Sequence, residues 1–147
     1  MNTRKEKSIV RQVRRNAVAL ISLLIALSTL SYSTWRNEKS EDNRNHRQAA
    51  FEILIKLNEL QQVVFHNRYD GDAQDRGNPR LGWTLVLTID DLAQLLREPM
   101  PARADHLKDV WGKNWEAMGD NQSNTNAVLL AVDEMRLETL TLLRSLE

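Results

Sequence analysis

Nineteen consecutive uncharged residues at 17–35, AVALISLLIALSTLSYSTW, constrain this chain more than any other feature. A bilayer core is about 30 Å thick and a helix rises about 1.5 Å per residue, so a crossing takes roughly 20 apolar residues. The run just meets that length. Leu, Ile and Ala dominate residues 17–30, and the last turn is polar and aromatic: Ser31, Tyr32, Ser33, Thr34 and Trp35. Such residues suit the headgroup zone. Six basic residues precede the run (Arg4, Lys5, Lys7, Arg11, Arg14 and Arg15), with one acid, Glu6. The zero net charge of the 147 residues is therefore a +5 arm offset by a −5 remainder.

Three readings fit the run. It is an uncleaved signal anchor, a cleavable signal peptide with Ser31 and Ser33 at cleavage spacing, or a helix buried in a soluble core. The anchor is favoured because the basic region is long and no Pro or Gly occurs between Arg15 and Tyr69. This predicts a basic cytoplasmic arm at 1–16, a span at 17–35 and an extracytoplasmic domain at 36–147. Arg14, Arg15, Tyr32 and Trp35 are the expected membrane-interface residues. Lys and Arg set orientation. Six lie before the span and four soon after it (Arg36, Lys39, Arg44 and Arg47), which places the N-terminus inside. The basic arm would meet anionic inner-leaflet lipid, so the bilayer is the first expected partner. Nucleic acid is not expected, because the basic patch abuts the span and carries no aromatic residue for stacking on bases.

Composition narrows the rest. Hydrophobic residues make up 41%, and Gly and Pro number only 5 and 3, which excludes a disordered or fibrous chain. The absence of Cys excludes a disulfide scaffold, a thiolate zinc site, c-type haem attachment and a cysteine-anchored lipoprotein.

Beyond the span the apolar residues follow a helical period. Ala50, Ile53, Leu57, Leu60 and Val64 step by 3, 4, 3 and 4, a heptad seam, with Phe51, Leu54, Val63 and Phe65 expected to widen it. This predicts a helix over 41–69 that runs on from the span through a polar neck at 36–47. The loop YDGDAQDRG follows at 69–77. Asn78-Pro79 is then a helix start, with Asn as cap and Pro in the first turn. Leu81, Leu85, Ile89, Leu92 and Leu96 predict a helix over 79–97, although WTLVLT at 83–88 has strand-like composition. Thr88 with Asp91 is an alternative capping box that would start the helix later. Ala104, Leu107, Trp111, Trp115 and Met118 predict a helix over 101–118. Val128, Val132, Met135 and Leu142, broadened by Leu129, Leu137, Leu140, Leu143 and Leu146, predict one over 123–146. Short connections make neighbours antiparallel. The expected fold is all-α, a single transmembrane helix followed by an up-down-up-down four-helix bundle.

Chemistry-bearing patterns are weak. His66 with Asp70, and His106 with Asp109, have helical ligand spacing but lack the His-Glu-x-x-His pattern of a metal site. Counted from Asp70, the loop has Gln74, Asp75 and Leu81 at positions 5, 6 and 12. A calcium loop needs Gly at 6 and Glu at 12. Met118 and Met135 are core fillers rather than haem ligands. No phosphate-binding glycine loop or recognisable nucleophile occurs, so neither an enzyme nor a cofactor is expected. Trp83, Trp111 and Trp115 are the candidate partner or ligand residues. Core packing is the first reading for them. Gly112 and the nearby prolines offer a groove as the second.

At class level the arrangement resembles the helical sensor domains of bacterial receptors, but the sequence contains no second span and no output domain. No motif names a family. The expected function is that of an accessory or interaction protein in a bacterial inner membrane, single-pass, bound to an envelope or inner-membrane protein or to itself as a homodimer. The alternative is an extracytoplasmic small-molecule binding or sensor-like module.

Overall fold

The computed structural model describes the backbone of residues 3–146, and the side chains there except at 3–11, 13–15 and 20. Four helices account for the ordered elements among the described residues: α1 (Thr3–Arg68), α2 (Pro79–Ala93), α3 (Met100–Asn114) and α4 (Gln122–Ser145). No strand occurs among them, so the fold is all-α. The strand-like segment at 83–88 is helical. Its β-branched residues lower helix propensity by only tenths of a kcal/mol each, which tertiary packing overrides.

The chain divides into two compact units, Met1–Asp42 and Asn43–Glu147. In the first, α1 is long and apolar enough to cross a membrane, and none of its apolar window is buried. Val18, Ile21, Leu23, Leu24, Ile25, Leu27 and Leu30 are all more than half exposed. Tyr32 and Trp35 follow with ring centroids 6.2 Å apart, and Lys39 Nζ lies 5.4 Å from the Trp35 ring. The side chains of Arg14 and Arg15 lie outside the described residues.

The second unit is built on the predicted α1 seam. Ala50, Ile53, Leu57, Leu60 and Val64 are fully buried. Cross-helix bonds fix how α4 lies against them. Arg47 Nη2 donates to Leu146 O at 2.7 Å, and Arg136 donates to Asn58 Oδ1 at 2.6 Å and Gln61 Oε1 at 2.8 Å. Arg68 Nη1 donates to Gly119 O at 2.8 Å. Rising numbers on α1 meet falling numbers on α4, so the two run antiparallel. Arg103 and His106 beside Glu134, with Arg103 also near Glu138, set the same sense for α3 and α4. For α2 and α3 the pairs are Gly82 with Trp111 and Asp90 with Lys108, again rising numbers against falling.

Sequence expectation and structure part company at three places. On α2 the inward stripe is Gly82, Val86, Ile89 and Ala93, while Leu81 is 49% exposed and Leu85 half-buried. The helix is thus turned from the stripe of Leu81, Leu85, Ile89 and Leu92. The cause is on α3: a β-carbon at residue 82 would overlap the Trp111 indole, so only glycine lets α2 approach here. Second, α2 ends at Ala93 rather than 97, and α3 at Asn114 rather than 118. Each exit tightens into i−3 bonds (Leu95 to Leu92, Leu96 to Ala93, Ala117 to Asn114), as helix ends do when orphan carbonyls lack α partners. Third, Phe51 and Phe65 on α1 and Leu137 and Leu140 on α4 do not widen the core; they are exposed.

The start of α2 follows the predicted chemistry. Asn78 Oδ1 accepts from Arg80 N at 3.0 Å ahead of Pro79, so the helix begins here and not at Thr88. Asn121 Oδ1 accepts from Ser123 N at 2.8 Å to start α4. Two threonines sit in the α4 seam unforeseen. Thr125 and Thr139 are fully buried, their hydroxyls donating to Met118 O at 2.6 Å and Met135 O at 2.7 Å. Buried Asn67 ties the two distal turns together. Its Nδ2 donates to Gly77 O at 2.8 Å, and Gly77 and Gly119 both press against it with no room for a β-carbon.

Candidate interaction surface

The three tryptophans sit at the α2/α3 contact and the core edge. Trp111 is fully buried under Gly82. Trp83 is half-buried and crosses the other way, its ring 3.5 Å from where a β-carbon on Gly112 would stand. The pair is reciprocal, Gly82 on Trp111 and Gly112 on Trp83, and the space beside Gly112 is taken by a ring rather than left as a groove. Trp115 packs half-buried on the core. Trp111 Nε1 has no hydrogen-bond partner among the described residues.

Open space lies along α1 instead. A crevice of about 360 Å³ between α1 and α2 is floored by Val63, Leu81 and Leu85 and rimmed by Glu59, His66 and Arg76. Each polar rim group already has a partner: Glu59 with Lys56 at 3.1 Å, His66 with Asp70 at 2.5 Å and Arg76 with Asp72 at 3.3 Å. Hydrogen bonding to Glu59 raises the Lys56 pKa against a smaller opposing effect of desolvation. A smaller crevice of about 140 Å³ lies between α1 and α4, lined by Arg47, Phe51, Leu140, Leu143 and Arg144.

The second crevice opens onto a larger feature. On α1, Phe51 is 57% and Ile55 49% exposed, with Phe65 and Tyr69 farther along. On α4, Leu137 is 65% exposed, with Leu130 and Leu140 on either side of it. Phe51 and Leu140 line the same crevice. Ile55 is one turn on from Phe51, and Leu137 one turn back from Leu140, so the antiparallel register carries the apolar face along both helices. The outward α1 positions 51, 55, 58, 62, 65 and 69 read Phe, Ile, Asn, Gln, Phe and Tyr, without a charge. Arg136 crosses the middle of the face to Asn58 and Gln61, with Asp133 Oδ1 3.9 Å from its Nε. Charge depletion with aromatic enrichment is the compositional mark of interface cores, and large contiguous apolar patches mark interaction sites.

This face was legible in the sequence as a second set of heptad steps on α1, 4, 3, 4, 3 and 4 from Phe51 to Tyr69. Counting Phe51 and Phe65 with the core stripe hid it. Among the described residues, no three of His, Cys, Asp and Glu come together as a metal site would require. The α3 histidine His106 lies 3.5 Å from Glu134 on an exposed surface. Comparison with protein-family models, with curated proteins and with solved structures finds no match for this chain.

Proposed function

We propose that the chain is a membrane-anchored interaction subunit, with no catalysis of its own. Residues 17–35 hold it in a bacterial-type inner membrane, the basic N-terminal arm stays in the cytoplasm, and the Asn43–Glu147 unit stands outside it. The outer face of α1 and α4 then docks a protein partner. The observation that carries this reading is that face: six of the large apolar side chains left exposed on the unit, Phe51, Ile55, Phe65, Leu130, Leu137 and Leu140, lie along it. Leaving a large apolar side chain exposed forgoes about 1.5–3 kcal/mol relative to burying it, so a partner that covers the face gains substantially. The α1/α2 crevice supports a small-molecule reading less well, because its polar rim groups are already paired within the chain.

The anchor is tested by alkaline extraction of membranes from cells producing the full chain. The wild type is expected to stay in the pellet. Leu24→Arg places a charge near the middle of the run, at a cost of about 2.5–3.5 kcal/mol in the bilayer centre, and is expected to move a large fraction to the soluble or aggregated pool. Complete extraction of the wild-type chain would remove the anchor from the account.

A further inference from the structure

Resting on the docking reading, we infer that the occupant of the α1/α4 face is a second copy of this chain, paired about a two-fold axis running along the helices. The antiparallel register sorts the face into levels. Phe51 lies level with Leu140. Arg136 reaches Asn58 and Gln61 a little farther on. Interpolation places Ile55 with Leu137, and extension of the same register places Phe65 with Leu130. Each apolar level therefore offers one side chain from α1 and one from α4. A two-fold axis along the helices leaves every level at its own height, so the second copy brings an identical pair to each. Four apolar side chains then close on one another at three levels.

Charge allows a like partner. An isologous interface sets a surface against itself, so a charge near the axis meets its own copy. The outward α1 stripe has none; on α4 the Arg136 guanidinium is held by Asn58 and Gln61 of its own chain with Asp133 beside it, and Arg47 and Arg144 stand at the Phe51 end of the face. The outer surface of α3, by contrast, presents Arg103, Asp105, His106 and Asp109. Between the apolar levels, Asn58 occupies a seam position of the kind that fixes register in paired helices. Its Oδ1 is held by Arg136, which leaves its amide hydrogens for the partner. Size also fits. The six apolar side chains are 36–65% exposed, together roughly 600 Å² of apolar surface, against about 800 Å² contributed by each partner in a standard interface.

The test is the particle mass of the full chain in mild detergent, by light scattering at tens of micromolar. The wild type is expected as a dimer. Ile55→Lys with Leu137→Lys adds charge at two exposed positions and is expected to yield a monomer of unchanged helical content, with at least a 100-fold loss in self-affinity. Ala102→Lys, exposed on α3, is expected to leave the dimer intact. A wild-type monomer, or a double variant that remains a dimer, overturns the inference. If the wild type is monomeric but the double variant loses a purified, identified membrane partner that the wild type retains, docking stands and only the second copy fails. If the double variant retains that partner as well, the docking reading fails too.

Discussion

Leu57→Asp is expected to abolish the folded state of the Asn43–Glu147 unit. Leu57 is fully buried at the centre of the α1 seam. The substitution removes about 2–3 kcal/mol of apolar burial and adds a carboxylate with no cation beside it. A buried charge without a partner is among the costliest single changes, and domains of this size hold only about 5–15 kcal/mol in reserve. The near-UV circular dichroism of the full chain in detergent reports on this unit through Trp83, Trp111 and Trp115, and that signal should collapse. Ile55→Asp, two residues away and half exposed, should change the stability of the unit by less than about 1 kcal/mol when measured at dilution where the chain is monomeric. Equal effects at 55 and 57 would mean that α1 faces the core differently.

Trp111→Ala should be nearly as severe, and its interaction with Gly82 should reverse sign. Removing a buried Trp costs about 3–5 kcal/mol, roughly 12–20 °C of melting temperature for a unit near 100 residues. Gly82→Ala alone should also destabilise, because the new methyl enters space held by the indole and overpacking costs about 1–3 kcal/mol. With Trp111→Leu in place the obstruction is gone. Gly82→Ala should then be neutral or stabilising, since Ala exceeds Gly in helix propensity by about 1 kcal/mol. A double-mutant cycle on thermal unfolding measures the coupling. Additive effects would show that Trp111 does not set the approach of α2 to α3.

The same pair explains what the sequence withholds. On α1 one apolar stripe has no rival at its centre, and Ala50, Ile53, Leu57, Leu60 and Val64 identify the core directly. On α2 two overlapping stripes compete, one through Leu81 and Leu85 and one through Gly82 and Val86. Hydropathy prefers the leucines. The choice is made by the bulk of Trp111 on another helix, which no local pattern records. The start of α2 was legible because Asn78 caps it through its own side chain ahead of Pro79. Helix ends were not, because they depend on where the following turns must lead. Hydropathy does not mark Thr125 and Thr139 as core residues, yet each has nearly the shape of Val and a hydroxyl satisfied by a carbonyl of its own chain.

The candidate surface was half legible. Its residues are plain in the sequence, but assigning Phe51 and Phe65 outward requires knowing that α4 packs beside α1 through Arg47, Arg136 and Arg68. The tryptophans drew attention for the opposite reason. They are the largest apolar residues in the chain, and two of them meet glycines on the facing helix instead of a partner. On α3 the Lys108 ammonium, hydrogen-bonded to Asp90 and held above its ordinary pKa by that bond against opposing desolvation, ties α2 to α3 next to this contact.

The most direct test of the account is site-specific photo-cross-linking in intact membranes. A photoreactive phenylalanine analogue is placed in turn at residues 55 and 137 on the α1/α4 face and at residues 102 and 109 on α3, all solvent-exposed. Discrete adducts, homomeric or with one partner protein, are expected from 55 and 137, and none from 102 and 109. Adducts from α3 with silence at 55 and 137 would contradict it and move the working surface to the opposite side of the unit.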